Sequence, residues 1–225
     1  MAYLLGVGGT ASADQDLQLW FPNQIVHPLT DDLTISMQVE GRFQDDISKF
    51  SQLVLKPALN YHFDEHWGLS AGYKFIEKYE QPNEHDPWQE VIYSELYGDL
   101  MVKYQVRFEP RLITGMDGVL PRIRSLVDLA HPIGDSPHYL ASWGAVRFNL
   151  DDKGEARFPA SSRSGGGLGL GTHLNRHAQF EMGYLYRYER EWTGDPLSDH
   201  AIQMHFVLNT GAKKSAKPRA RDKYR

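Results

Sequence analysis

The sequence predicts an all-β protein: an antiparallel transmembrane β-barrel of ten strands, or twelve, in up-and-down order. Three observations predict it. Apolar and polar residues alternate in segments of about ten residues, near the ~9–11 that a tilted membrane-crossing strand needs and longer than ordinary soluble strands. Aromatic residues gather at segment ends, as at a lipid–water boundary: Trp20, Trp67, Trp88, Tyr93, Tyr97, Tyr139, Trp143, Tyr186 and Tyr188. Short connections around 62–66, 96–99, 131–137 and 174–177 alternate with longer polar ones around 44–50, 77–87, 111–119, 149–163 and 189–198. Short periplasmic turns and longer outer loops give that pattern. A soluble sandwich also alternates, so the period alone does not decide. No run approaches the ~18 continuous apolar residues of a membrane helix, which excludes a helical membrane protein.

Each segment has its own pattern. Residues 1–13 read as the remnant of an export signal: a weak apolar run, Leu4 to Gly9, precedes Ala11-Ser12-Ala13, the small-x-small pattern of a cleavage site. The barrel spans 14–210. Leu17 to Val26 is a candidate strand. In 33–43, Leu33, Ile35, Met37 and Val39 alternate with Thr34, Ser36, Gln38 and Glu40. In 51–61, Leu53, Leu55, Leu59 and Tyr61 oppose Lys56, Ala58 and Asn60, with Pro57 costing one ladder hydrogen bond. In 67–77, Trp67, Leu69, Ala71, Tyr73 and Phe75 oppose Gly68, Ser70, Gly72 and Lys74. A strand at 88–95 follows. In 100–110, Val102, Tyr104, Val106 and Phe108 oppose Lys103, Gln105, Arg107 and Glu109.

The second half repeats the scheme. In 120–130, Ile123, Val127 and Leu129 oppose Arg122, Arg124 and Asp128; a strand at 138–148 comes next. The glycine-rich 164–173 reads as a strand whose missing side chains allow curvature or room for bulky neighbours in the lumen. In 178–188, Phe180, Met182 and Tyr184 oppose Gln179, Glu181 and Arg187; in 199–209, Ile202, Met204, Phe206 and Leu208 oppose Gln203, His205 and Asn209. From 33 to 209 these make ten. Leu17–Val26 would be an odd eleventh, and bacterial single-chain barrels have even counts. It therefore either joins the wall beside a twelfth strand or lies in the mouth or lumen of ten.

Charge is uneven. The tail, 211–225, holds seven of the 24 basic residues and one of the 29 acidic ones, leaving 17 against 28 in the body. The body is therefore no nucleic-acid binder, because phosphate contacts need clustered basic residues. The tail reads as a basic disordered end. There is no cysteine, hence no disulfide, thiol nucleophile or thiolate metal site.

Charges in a barrel wall are tolerable only facing water or one another. The residues expected in the lumen are Arg42, Lys103, Arg107, Glu109, Arg122, Arg124, Glu181 and Arg187, with Glu40, Lys56 and Lys74 on the same face. They suit two readings: a ladder of ion pairs filling a narrow lumen, or a charged constriction that passes small anionic or sugar-like solutes. Two other classes compete. A lipid-modifying hydrolase would draw on Ser164, His173, His177 and Glu181, without a Gly-x-Ser-x-Gly elbow. A surface-binding barrel would use the acid-rich loops, with Glu77, Lys78, Glu80, Glu84, His85 and Asp86 in one and Asp151, Asp152, Lys153 and Glu155 in the other, holding cations that bridge lipopolysaccharide. The loop histidines His62, His66, His85 and His131 have no zinc-site spacing, and Gly165–Gly171 is no phosphate loop, so no metal or cofactor is expected.

The chain also resembles the DUF2490 family of outer-membrane β-barrel proteins over about 17–210. The resemblance rests on the Trp20 segment, Pro57–Tyr61 followed by Gly72-Tyr73, and Arg107, Glu109 and Arg111. It continues in Gly165-Gly166-Gly167-Leu168-Gly169 and Glu181-Met182-Gly183-Tyr184-Leu185. It implies a barrel in the outer membrane, with outer-membrane lipid, lipopolysaccharide and the barrel-assembly machinery as partners and small solutes as candidate cargo. It implies no catalytic residue. An assembly signal usually ends on an aromatic residue, whereas here Phe206 is followed by the basic tail.

Overall fold

A computed structural model describes residues 15–150, 162–190 and 197–211. The export-signal reading (1–13) and nearly all of the basic tail lie outside the described residues, as do Asp151, Asp152, Lys153 and Glu155. Among these residues eleven strands form the fold: β1 Gln15–Pro28, β2 Leu33–Gln44, β3 Lys49–His62, β4 Trp67–Lys78, β5 Glu84–Tyr97, β6 Leu100–Ile113, β7 Leu120–Pro132, β8 His138–Asn149, β9 Ser162–His173, β10 Ala178–Arg190 and β11 Leu197–Asn209. Each pairs with its chain neighbours, and β1 closes on β11, so the sheet is one closed barrel.

This corrects the expected count of ten or twelve. Leu17–Val26 belongs to a wall strand with no twelfth beside it. In an up-and-down order an odd number leaves first and last strands running the same way, and β1 pairs β11 in parallel, Gln15 against Ser198 through Val26 against Asn209. All other neighbours are antiparallel. Closure leaves no open edge, and an unpaired edge would expose its backbone polar groups. The prolines sit where the ladder can spare a donor. Pairing of β1 to β11 lapses at Phe21 and Pro22, and that of β3 to β4 at Lys56 and Pro57.

The turns at the end holding 29–32, 63–66, 98–99, 133–137 and 174–177 are tight. Two use the same device: Asp64 Oδ1 accepts from the amides of His66 (2.8 Å) and Trp67 (2.7 Å), and Asn175 Oδ1 from His177 (2.8 Å) and Ala178 (3.0 Å). Gly98 takes a φ of 63° in the shortest. The opposite end carries the wider connections.

The two faces of the wall are inverted relative to a soluble barrel. Large apolar side chains point outward and are exposed on nearly every strand, among them Ile35, Leu59, Leu69, Val91, Val106, Phe108, Val127, Leu168 and Met182. Inside lie Ser36, Glu40, Ser70, Glu84, Asp86, Glu90, Gln105, Arg107, Glu109 and Arg122, all buried. Outward aromatics cluster toward both ends. Tyr61 meets Phe63 at 5.2 Å and Trp67 meets Tyr93 at 4.9 Å by the tight turns; Phe43 meets Phe50 at 5.5 Å by the wider ones.

The expected aromatic girdle needs correcting at four members. Trp20, Trp88, Tyr139 and Trp143 turn inward, because their strand positions share parity with the lumen residues. Glycines make room for them. A Cβ at Gly167 would lie 2.6 Å from the Trp143 ring and from the carbonyl oxygen of Tyr184, and one at Gly171 would overlap the Tyr139 ring. Gly167→Val should therefore destabilise the barrel by about 1–3 kcal/mol through overpacking. Gly144→Ala, where the added Cβ meets only a carbonyl oxygen at 3.9 Å, should be near neutral. Denaturant midpoints of the two variants side by side check this.

Candidate functional site

The site is the lumen, and β4 to β7 supply its charged wall. Expected as a loop, 77–87 instead ends one strand and begins the next, so Lys78, Glu84 and Asp86 enter the interior. Pro87 and the neighbouring acids mask the period-two pattern there, and the structure adds three acids, Glu84, Asp86 and Glu90, to the expected lumen groups. The parity of Trp88, Glu90 and Ile92 was the one signal able to find them.

Glu109 lies at the centre, 1% exposed. Its Oε2 accepts from Arg122 Nε at 2.7 Å and is bonded by Arg122 Nη2; Lys74 Nζ is 3.7 Å away, and Arg107 Nη1 stands 3.5 Å from Oε1. Asp86, 0% exposed, takes Lys74 Nζ at 2.6 Å and Arg122 Nη2 at 3.4 Å. Glu84 receives Arg111 through Nε (2.6 Å) and Nη2 (3.0 Å), and Lys78 at 2.9 Å. Glu90 receives Arg107 through Nε (2.8 Å) and Nη2 (2.7 Å), while that guanidinium stacks 4.1 Å from the Trp88 ring centre. Such paired, multiply bonded charges are the form in which ions survive burial.

A second group stands on β10, β11, β1 and β2. Trp20 packs with Leu185, Ala201 and Trp143. Arg42 stacks 4.0 Å over the Trp20 ring and bonds Glu40 and Gln52; Arg187 stands 5.2 Å from that ring and bonds Asp199. Below this level a chamber of about 450 Å³ remains. Its lining includes Trp20, Arg42, Arg107, Arg124 and Arg147, and runs to Asn60, Ser94, Tyr139 and Asn209 near the tight turns. It does not include Glu84, Asp86, Glu109, Arg111, Arg122, Arg187 or Asp199, which lie toward the wider loops.

Every residue expected in the lumen is on an inward-facing position. Arg42, Arg107, Glu109, Arg122 and Arg187 are bound up in the pairs above. Lys103 Nζ is 3.7 Å from Asp128, and Glu181 accepts a hydrogen bond from the Tyr139 hydroxyl at 3.2 Å. Arg124 differs: its buried Nε has no hydrogen-bond partner. The hydrolase candidates are not brought together. Ser164 is a β9 strand residue paired with Val146 and Tyr188, His177 contacts Arg176 and the carbonyl of Asn209, and no hydrogen bond among the described residues joins Ser164, His173, His177 and Glu181. No metal-holding group of His, Asp and Glu occurs among the described residues.

Three comparisons bear on this chain. A family model described as a protein of unknown function (DUF2490) matches residues 17–198. An uncharacterized protein of Methylorubrum extorquens is 24% identical over 214 residues, covering 91% of this chain and 93% of its own. Among solved structures, an anion-selective porin from Comamonas acidovorans aligns over 80% of this chain and 83% of its own, with a TM-score of 0.38 and 7% identity, a score too low to bear on activity.

Proposed function

This chain belongs to the DUF2490 family, whose description assigns no activity, and we propose that it spans a bacterial outer membrane as a barrel whose lumen is closed at rest on the wide-loop side. The observation that carries this reading is the inversion of the wall. A soluble protein turns charge outward, whereas here Leu168 is 71% exposed on the outside and Asp86 is 0% exposed within. Outer-membrane lipid and lipopolysaccharide then solvate the apolar belt, with the aromatic clusters at the two interfaces. Assembly there calls on the barrel-assembly machinery.

Closure follows from burial. Carboxylates lining an open water-filled pore would be wet, yet Asp86 and Glu109 are sealed by their own cations. Small solutes would enter the chamber from the tight-turn side and pass only when the blocking layer moves. Structural or surface-binding duty without transport is the state of the same barrel if the layer never moves.

Cell fractionation tests the location: recovery in the soluble periplasm, without a heat-shifted band on a semi-native gel, would leave a lipocalin-like soluble barrel. Planar-bilayer recording tests closure. The wild-type barrel should show no sustained conductance steps at low voltage. Trp20→Ala, which removes the ring between Arg42 and Arg187, should produce them. Steady steps from the wild type, unchanged in the variant, would mean an open pore.

A further inference from the structure

We propose that the chamber binds a small oxyanion, through a phosphate or carboxylate group, between Lys56 and Arg124 beside Trp88; this rests on the lumen reading above. Charge accounting leads there. Glu84 is taken by Arg111 and Lys78, Asp86 by Lys74, Glu90 by Arg107 and Glu109 by Arg122. These pairs occupy all four buried carboxylates of that wall. Lys56 and Arg124, both lining the chamber, are left without an ion pair among the described residues. Lys56 feels Arg107, Arg124 and Lys74, with Glu90 and Glu40 as opposing carboxylates that Arg107 and Arg42 already hold.

Hydrogen bonding points to the same place independently. Arg124 Nε and Trp88 Nε1 are both buried N–H donors with no partner. The Lys56 ammonium, 5.1 Å from the centre of the Trp88 ring, adds further donors. Unpaired buried donors are rare, since each forfeits a hydrogen bond to water. Here two of them and an ammonium line one chamber whose carboxylates are engaged elsewhere: Glu40 by Arg42, Glu90 by Arg107, Asp128 by Lys103 and Gln105, and Glu181 by the Tyr139 hydroxyl. A water molecule would satisfy the donors but leave the charge. An oxyanion satisfies both, and charge-assisted bonds to it are the strong kind. A chamber of about 450 Å³ suits a small solute. Arg107 and Arg122 lose the selecting role expected of them from sequence, because Glu90 and Glu109 neutralise both.

The test uses the full chain refolded in a non-ionic detergent free of phospholipid, which removes headgroup phosphate as a source. Inorganic phosphate, and acetate in parallel, are titrated against thermal unfolding, with sodium chloride at matched ionic strength. Phosphate or acetate should raise the unfolding midpoint saturably while chloride does not. Lys56→Gln and Arg124→Gln should each weaken the apparent affinity about tenfold or more, whereas Lys56→Arg and Arg124→Lys, which keep the charge, should retain it within a few-fold. Lys49→Gln, at an exposed surface pair with Glu80, should bind as wild type. The site is overturned if chloride reproduces the effect, or if Lys56→Gln and Arg124→Gln bind normally. Its failure is separable from that of the closed lumen. Oxyanion binding by a wild type that conducts steadily would refute closure alone; a silent wild type that opens on Trp20→Ala but ignores both oxyanions would refute the site alone.

Discussion

Replacing Glu109 with glutamine should destabilise the refolded barrel by about 3–5 kcal/mol, the cost of breaking a buried ion pair from one side. Glu109 is the carboxylate that Arg107, Arg122 and Lys74 share, and Asp86 cannot take over, being already engaged by Lys74 and Arg122. The amide leaves these cations unbalanced and turns a donor toward Arg122. Salt should rescue little, because buried charges are poorly screened. Glu109→Gln combined with Arg122→Gln should cost less than the sum of the two singles, with a coupling of about 0.5–3 kcal/mol. Urea-unfolding free energies in lipid vesicles give all three values. A single-variant cost below about 1 kcal/mol would show that the layer is solvated and the lumen open, since exposed pairs contribute no more than that.

Val106→Arg and Gln105→Arg, adjacent in β6, should differ sharply. Val106 lies mid-strand, faces outward and is 39% exposed, whereas Gln105 is 5% exposed and donates to Asp128 Oδ2 at 2.7 Å. In a barrel that spans a bilayer as proposed, an arginine at 106 would put its charge near the midplane at a cost of about 2–4 kcal/mol. At 105 the guanidinium meets Asp128 and the chamber, so the cost should be well under that. Consecutive strand residues face opposite ways, so a slip of one residue would exchange the two results. Equal damage from both, measured by urea unfolding in the same lipid, would remove the assignment of a lipid-facing outer surface.

The strands of the second half show what alternation makes legible. In β6, β7, β10 and β11 the charges assigned inward from sequence share one parity, although Met101, Leu126, Leu185 and Val207 stand in the same inward series. Where the series is broken, reading fails. Glu84 and Asp86 stand beside Pro87 in a stretch with no apolar member of the outward series until Gln89 has passed, so the start of β5 looks like a loop. Trp20, Trp88, Tyr139 and Trp143 mislead differently. An aromatic residue near a segment end fits the interface and the lumen equally, and only the parity of its strand chooses between them.

Sequence by itself determined the architecture: long β-strands in up-and-down order and, wherever apolar and polar residues alternate, which face of the strand carries charge. It could do so because those properties are local, set by a period of two and by turn residues within a few positions. Tertiary structure alone decided the number that closes the barrel and the state of the charges. The parallel pairing of β1 to β11 joins the two ends of the chain, which no neighbouring residues encode. Likewise Glu109 meets Arg122, and Lys74 meets Asp86, only because adjacent strands set them side by side across the wall. A lone charge in a strand reads the same whether it is neutralised or left over. That difference separates Arg107, held by Glu90, from Lys56 and Arg124, because an ion pair belongs to two strands and its energy to the low-dielectric space between them.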